Sequence, residues 1–435
     1  MTAEIVIMNK EAIALAADSA VTHPTKEHPK IFTSANKIFA LSKYHPVGIM
    51  IYGNANFMGS PWETIIKVYR DELGEKVFDT LKEYVDDFID FLKEEKRLSS
   101  ESEQEKYVTY QTYRYFYFIR EEIIQKLEEL TLEKRVGEED IEQTIAEVIN
   151  EHYNLWSKAE ILPSIPENHV KNLIDRYGTI FDEVRKDIFE KFPVPKISSS
   201  RLSEIGASLF AKSAIRPQDV SGVVVAGFGE KEVFPSFQSL FIEGIAHNVL
   251  KYWEHYSQAI TFDMEASISR FAQSEMVATF IEGVAPDYEN EVERYLRNLI
   301  DNYPVVIIDS IENLSSDEKS ALKQKLKELS DRVLEQYLKE LSNYRREKYV
   351  DPVIDVVAML PKDELASMAE SLVNLASFKK KVTTEEETVG GPIDVALISK
   401  GDGFIWIKRK HYFKPELNPQ FFTNYYRRWK NEKDK

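Results

Sequence analysis

The beginning of this chain alternates short apolar runs with polar turns, and this alternation restricts the start of its fold to a sheet. Two β-prone runs, residues 5–8 and 13–17, are separated by three polar residues that begin with Asn9. β-prone runs joined by so short a polar link predict a hairpin. Two further runs, residues 36–41 and 47–54, predict two more strands.

Thr2 stands just before the first run and is the candidate for a catalytic group at the start of the chain. If Met1 is removed, Thr2 carries a hydroxyl and a free α-amine on one residue. A threonine hydroxyl needs a base to accept its proton, and an α-amine, with a pKa of about 7.7 to 8.0 in peptides, can act as that base. The alternative is that Thr2 is an ordinary second residue without a catalytic role.

An acid, a lysine and a glycine stand at the ends of the predicted strands. Asp18 follows the second run, Lys37 opens the third strand and Gly53 ends the fourth, while Thr22 lies four residues after Asp18. This order, with sixteen residues between Thr2 and Asp18, resembles the N-terminal nucleophile hydrolases of the proteasome β-subunit and HslV peptidase family.

Three later segments resemble the same family. Residues 389–398 join a Gly-Gly turn to the run Ile-Asp-Val-Ala, as in the family's late strand, and residues 404–407 follow as a partner strand. Residues 222–237 resemble its central hairpin. The family also uses a serine and an acid to order the nucleophile. Ser274 and Glu386 are candidate substitutes for them, although the usual glycine-flanked serine is absent.

The resemblance implies a role for each matched residue. Thr2 would be the nucleophile, Lys37 would be a cation beside it, and Asp18 would pair with Lys37. The Gly53 N–H would stabilise the oxyanion, and Thr22 would bind the substrate backbone. The resemblance implies no cofactor and no metal ion.

The predicted fold is α+β: a four-layer αββα sandwich of two antiparallel sheets between helices, with long α-helical insertions. The core must be interrupted, because the family-like blocks extend from the first residues to about residue 407. The predicted core comprises residues 1–77, 201–284 and 356–410, the helical insertions residues 78–200 and 285–355, and a basic C-terminal tail residues 411–435.

Apolar residues at helical spacing predict long helices in both insertions, including a highly charged one over residues 316–348. The same spacing predicts a helix over residues 362–380 in the core. Residues 107–118 hold the densest aromatic cluster. Such a cluster could stack on nucleic acid, but its spacing favours helix core.

Composition excludes several classes of protein. The chain has 56 basic and 73 acidic residues, a net charge of −17, which disfavours a nucleic-acid partner. It contains no cysteine, and therefore neither a disulfide framework nor a thiol nucleophile. We find no secretory signal and no apolar run of about 20 residues, so we expect no membrane association and a cytoplasmic location. His247 and His255 lack an acid-rich metal pattern, so we expect ordinary core or surface histidines.

The predicted function is that of a threonine-type peptidase acting on a peptide or protein substrate. Its relatives enclose such sites in rings, so a homo-oligomer is expected. No nucleotide-binding loop occurs, so any unfoldase or regulator must be a separate protein. Two alternatives stay open: a catalytically inactive interaction scaffold of the same fold, and a non-proteolytic amidohydrolase.

Overall fold

The computed structural model describes residues 3–23, 30–133, 136–214, 220–272, 275–383 and 390–423. The chain divides into two compact units. The first comprises Met1–Ile38 and Ala259–Lys435, and the second comprises Phe39–Gln258.

Fourteen strands lie in the described part of the chain. They are β1 (Ala3–Asn9), β2 (Ala12–Ala17), β3 (Val21–His23), β4 (Lys30–Phe32), β5 (Ile38–Ala40), β6 (Val47–Gly53), β7 (Asn56–Phe57), β8 (Ser60–Pro61), β9 (Ser221–Gly227), β10 (Ser236–Ala246), β11 (Val249–Ala259), β12 (Ala266–Ala272), β13 (Asp394–Ser399) and β14 (Gly403–Lys408).

The same residues contain eleven α-helices. They are α1 (Trp62–Leu73), α2 (Leu81–Glu94), α3 (Glu101–Glu133), α4 (Glu138–Lys158), α5 (His169–Ile188), α6 (Lys196–Ser208), α7 (Glu275–Glu282), α8 (Pro286–Asp309), α9 (Ser316–Arg345), α10 (Asp351–Met359) and α11 (Lys362–Val382). A π-helical turn, Arg346–Val350, joins α9 to α10, and a 3-10 turn, Pro415–Leu417, follows β14.

The first unit is built on a five-stranded antiparallel sheet in the order β12-β1-β2-β13-β14. Successive side chains of a strand point to opposite faces, so one face of β2 presents only Ala12, Ala14 and Ala16. These small side chains let α11 pack closely, and α11 contacts β1, β2 and β13. Helix α11 therefore covers the three middle strands of the sheet.

The second unit has its own five-stranded sheet, in the order β11-β10-β9-β6-β5. Large aromatic side chains of α1 and α2, including Trp62, Tyr69 and Phe88, are buried in the core that this sheet forms with the two helices. Helices α3 to α6 enclose a further core around Phe116 and Trp156. The helices of this unit therefore bury apolar surface on each other as well as on the sheet.

The prediction of an α+β fold with antiparallel sheets and long helices is confirmed. Each unit supplies one five-stranded sheet, a two-stranded sheet and the helices that pack on the larger sheet. The predicted helical insertions, residues 78–200 and 285–355, contain α2 to α5 together with α8 and α9, while α6 and α10 begin within them and end beyond them. The six proposed segment boundaries stay a prediction.

The aromatic cluster of α3 is only partly core. Phe116 is fully buried, whereas Tyr110, Tyr113, Tyr117 and Phe118 are 41% to 54% exposed. The prediction of a helix core was therefore wrong for these four residues, because neighbouring helices cover only part of the circumference of α3. No helix in the described ranges is long and apolar enough to cross a membrane.

Candidate active site

The start of β1 is tied to Asp18 by two hydrogen bonds. The Ala3 N–H donates to Asp18 Oδ1 at 3.1 Å, and the Asp18 N–H donates to the Ala3 carbonyl at 3.2 Å. This geometry follows from the register of the hairpin, in which Glu4 pairs with Ala17, the last residue of β2. Asp18 therefore leaves β2 directly opposite Ala3.

Lys37 completes a buried ion pair with the same carboxylate. Its Nζ lies 2.6 Å from Asp18 Oδ1, and the side chains are 6% and 0% exposed. Asp18 Oδ2 accepts from the Ala20 N–H at 3.2 Å and the Gly390 N–H at 2.9 Å. Four donors thus surround one carboxylate, and such hydrogen bonds offset the cost of removing the two charges from water.

The Gly-Gly turn that precedes β13 forms one wall of this site. Besides the Gly390 bond to Asp18, the Ser19 N–H donates to the Gly390 carbonyl at 3.2 Å, and Ser19 Oγ donates to the Pro392 carbonyl. Gly391 has φ +80°, and a Cβ there would lie 2.8 Å from the Thr33 Cβ. This position therefore requires glycine.

A second buried ion pair lies beside the first. Lys410 Nζ binds Asp394 Oδ2, and the Lys410 N–H donates to Asp394 Oδ1 at 2.8 Å. Burial lowers the pKa of Lys410, although its hydrogen bond and ion pair with Asp394 act to raise it. The positive charge of Lys37 also acts to lower this pKa, and the negative charge of Asp18 acts to raise it. The two pairs thus form one electrostatic cluster.

Glu4 is a third buried acid near this cluster, and it lies in the same cross-strand row of the sheet as Asp394. Ala17 of β2 pairs with Glu4 on one side and Asp394 on the other, and both acids are at most 2% exposed. Neither of these acids, nor Lys410, was assigned a role from the sequence. The signal that could have found the two acids is a charged residue next to an apolar run, since Glu4 precedes Ile5–Met8 and Asp394 precedes Val395–Ile398.

Thr22 lies in β3, where it pairs with Ile31 of β4. Its hydroxyl oxygen is buried and has no hydrogen-bond partner among the described residues. An unsatisfied buried hydroxyl is unfavourable by about 1 to 3 kcal/mol. Thr22 therefore has a hydrogen-bonding group that a ligand could satisfy.

Gly53 ends β6 in the second unit. It has φ +77°, and a Cβ there would lie 2.4 Å from the Val220 carbonyl oxygen. Only glycine fits this turn without displacing the backbone. The structure thus explains the residue type at Gly53 by conformation, and a role in catalysis stays a prediction.

Thr2, Ser274 and Glu386 lie outside the described residues. Of the five predicted site residues, the structure brings two together, Asp18 and Lys37. The Asp18 carboxylate binds both Lys37 and the N–H of Ala3, the residue that follows Thr2.

Ala272 adds a further feature beside Ala3: it pairs with Ala3 and has φ +60°, which is rare for a residue other than glycine. Residues held in such conformations cluster at functional sites.

The described residues contain no group of three or more side chains that could hold a metal ion. The groups that the structure shows at this site are ammonium and carboxylate groups. A buried ammonium next to the first strand can stabilise negative charge, and it can disfavour protonation of an amine close to it.

Comparisons with known proteins were made by family, by sequence and by structure. No family model matches the chain, and no curated protein matches it. A similar solved structure is described as the helical assembly of the Anbu complex from Pseudomonas aeruginosa. The similarity covers 99% of this chain and 96% of that chain, with 8% sequence identity and a TM-score of 0.28. These values are too low to place the chain in a family.

Proposed function

We propose that the chain is a threonine-type N-terminal nucleophile hydrolase that cleaves peptide bonds, with Thr2 as its nucleophile after removal of Met1. One observation carries the proposal: the Ala3 N–H binds the buried carboxylate that also holds Lys37. Thr2 is bonded to Ala3, so their Cα atoms are about 3.8 Å apart. The covalent chain therefore keeps Thr2 close to the Asp18–Lys37 pair.

The reaction proceeds in two steps on Thr2. Its Oγ attacks the substrate carbonyl carbon while its α-amine accepts the hydroxyl proton. The C–N bond then breaks, the α-amine returns the proton to the leaving amine, and an ester to Thr2 remains. Water attacks this ester with the α-amine again as base, which releases the acid and regenerates the hydroxyl.

The neighbouring residues make this chemistry feasible near neutral pH. The Lys37 ammonium favours the neutral α-amine and the developing alkoxide, because nearby positive charges repel each other and attract negative charge. Asp18 holds Lys37 in place by a 2.6 Å ion pair.

Thr22 supplies the reason to expect a peptide. Its buried hydroxyl has no partner among the described residues, and it lies in a strand of only three residues. An extended peptide can add to such a strand and hydrogen-bond through its backbone.

The test combines intact mass with covalent labelling. We expect Met1 to be absent from the native protein and a peptide epoxyketone, which needs a hydroxyl and an adjacent free amine, to add once to Thr2. Thr2→Ala should abolish labelling and peptide hydrolysis. Lys37→Met should slow both by about 100-fold, in the range of groups that assist proton transfer.

Lys10→Met is the matched control, because Lys10 also forms an ion pair in the first unit but on its surface. It should leave the labelling rate unchanged. Hydrolysis by protein that retains Met1 quantitatively, or by Thr2→Ala at the wild-type rate, would refute the proposal. Protein that lacks Met1 but neither labels nor hydrolyses peptides would instead support the inactive scaffold.

A further inference from the structure

Helices α8 and α9 form an antiparallel hairpin in the first unit. Glu289 forms an ion pair with Arg345 near one end, and Asp309 lies 2.7 Å from the Lys323 ammonium at the other. Between them, Ser330 Oγ reaches the Ile300 carbonyl at 3.5 Å. These contacts fix which residues of the two helices lie side by side.

Each helix carries an exposed apolar stripe. Five large residues of α8 are 48% to 68% exposed and recur at helical spacing: Tyr288, Tyr295, Leu299, Tyr303 and Val306. Five residues of α9 are 38% to 60% exposed at the same type of spacing: Leu322, Leu329, Val333, Tyr337 and Tyr344. An aqueous surface does not favour ten such side chains on one hairpin.

Both stripes face the same side of the hairpin. Five of the six residues in these contacts between the helices follow a stripe residue by one position, and Asp309 is the exception. One position is a rotation of about 100°. Because the helices are antiparallel, the same rotation on each brings the two stripes to one common side.

The stripes together form a surface that we call the α8/α9 face. The antiparallel alignment places four pairs of stripe residues side by side as rungs: Tyr288 with Tyr344, Tyr295 with Tyr337, Leu299 with Val333, and Tyr303 with Leu329. Val306 and Leu322 lie at one end of the face, about 6 Å out of level with each other. The face is about 27 Å long, from 18 residues of helical rise, and about 18 Å wide.

We infer that the α8/α9 face binds a second copy of this chain and forms an antiparallel four-helix bundle with it. The face covers roughly 500 Å² in plan (about 27 by 18 Å), and charged residues flank it, which is the arrangement of apolar centre and polar rim typical of protein interfaces. A layer of two antiparallel helices is also half of a four-helix bundle.

The spacing of the stripe makes the face complementary to itself. On α9 the stripe residues stand 11 and 4 positions before and 4 and 11 positions after Val333. A twofold axis through the Leu299–Val333 rung, perpendicular to the helices, therefore places Leu329 on the partner's Tyr337, and Leu322 on the partner's Tyr344. The same axis places Tyr295 of α8 on the partner's Tyr303.

Charge at the rim agrees with this axis. Lys325 and Glu340 are both exposed and lie 8 positions before and 7 positions after Val333, rotated from it in the same direction by about 80° and 20°. The twofold axis brings Lys325 of each copy to Glu340 of the other, which gives two reciprocal ion pairs. The interface is therefore isologous, with its apolar centre at Val333.

Cysteine cross-linking tests the axis, because the chain has no cysteine of its own. Val333→Cys stands on the axis, and we expect oxidation to give a covalent dimer in high yield. Leu322→Cys alone should give none, because its two copies lie about 33 Å apart. Leu322→Cys combined with Tyr344→Cys should restore the dimer, since these positions face each other only between copies.

Sedimentation tests the association itself. We expect a mass of twice 50.4 kDa, or an even multiple of the chain mass, at micromolar concentration. Leu299→Lys with Val333→Lys should raise the dissociation constant at this face by at least about 100-fold, because it buries unpaired charges. Gln324→Lys, at an exposed position off the stripe, is the matched control and should leave the mass unchanged.

Three results would overturn the inference: a monomer at 100 µM, an unchanged mass in the double lysine variant, or equal cross-linking of Leu322→Cys and Val333→Cys. Protection of the face in a monomer, for instance by residues 424–435 of the same chain, would count against a second copy in the same way. The experiment does not depend on whether Thr2 is catalytic.

Discussion

At the scale of single residues, Lys410 offers the sharpest test of the charge cluster around Asp18. Lys410→Met removes a buried positive charge that acts on Lys37 and leaves Asp394 without its ammonium partner. Loss of positive charge makes protonation of a nearby amine easier. We expect the pH of half-maximal Thr2 labelling to rise by about 0.5, and the free energy of unfolding to fall by about 3 kcal/mol.

Two variants at the same pair control this result. Lys410→Arg keeps the charge and should keep the wild-type pH profile. Asp394→Asn removes the negative charge instead, so its labelling profile should move to lower pH. Identical profiles for Lys410→Met and Asp394→Asn, each measured on folded protein, would show that the second pair does not influence the first.

The candidate site was only partly predictable from single residues. The contact of Asp18 with Lys37 was expected because the resemblance of the N-terminal segment to a known family implies it. The Gly390 N–H that binds Asp18 is 372 positions away in the sequence, and it reaches the site only because β13 pairs with β2. Periodicity carries no information on such a pairing, and for the same reason Asp394 and Lys410 were not assigned.

At the scale of elements, the hairpin of β1 and β2 depends on the buried side chain of Asn9. Its Oδ1 accepts from the N–H groups of Glu11 and Ala12 at 3.0 and 3.2 Å. Its Nδ2 donates to the carbonyls of Val357 and Leu360, at 3.1 and 2.8 Å, where α10 ends. Asn9 therefore closes the turn and satisfies carbonyls that a helix end leaves free.

We expect Asn9→Ala to lower the free energy of unfolding by about 3 kcal/mol, because it leaves several buried polar groups unpaired. Urea unfolding followed by circular dichroism measures the change. Glu11→Ala, at an exposed position of the same turn, should change it by no more than about 0.5 kcal/mol. Equal effects of the two variants would contradict the role of Asn9.

Elements with strong periodicity were the ones that the sequence predicted well. The helices expected over residues 316–348 and 362–380 correspond to α9 and α11, which span Ser316–Arg345 and Lys362–Val382. The strands β11 and β12 were not predicted. β11 is exposed along much of its length and reads Tyr-Trp-Glu-His-Tyr-Ser-Gln over residues 252–258, so it lacks a regular alternation of apolar and polar residues.

At the scale of the whole molecule, the proposed chemistry and the proposed association are separable. Ala3, Asp18, Lys37 and Gly390 all belong to the first unit of one chain. None of them lies on the α8/α9 face. The double variant Leu299→Lys with Val333→Lys should therefore sediment with a reduced mass and still label at Thr2 within about twofold of the wild-type rate, as measured by intact mass over time.

The two outcomes of this experiment have different structural meanings. Retained labelling means that one chain assembles the nucleophile, its base and the Asp18–Lys37 pair by itself, so association can only control which substrates reach them. Lost labelling in a variant with an unchanged circular dichroism spectrum and melting temperature means that the partner orders the site. In that case the labelling rate of the wild type must rise with protein concentration through the dissociation constant of the interface, and dilution below that constant must abolish it.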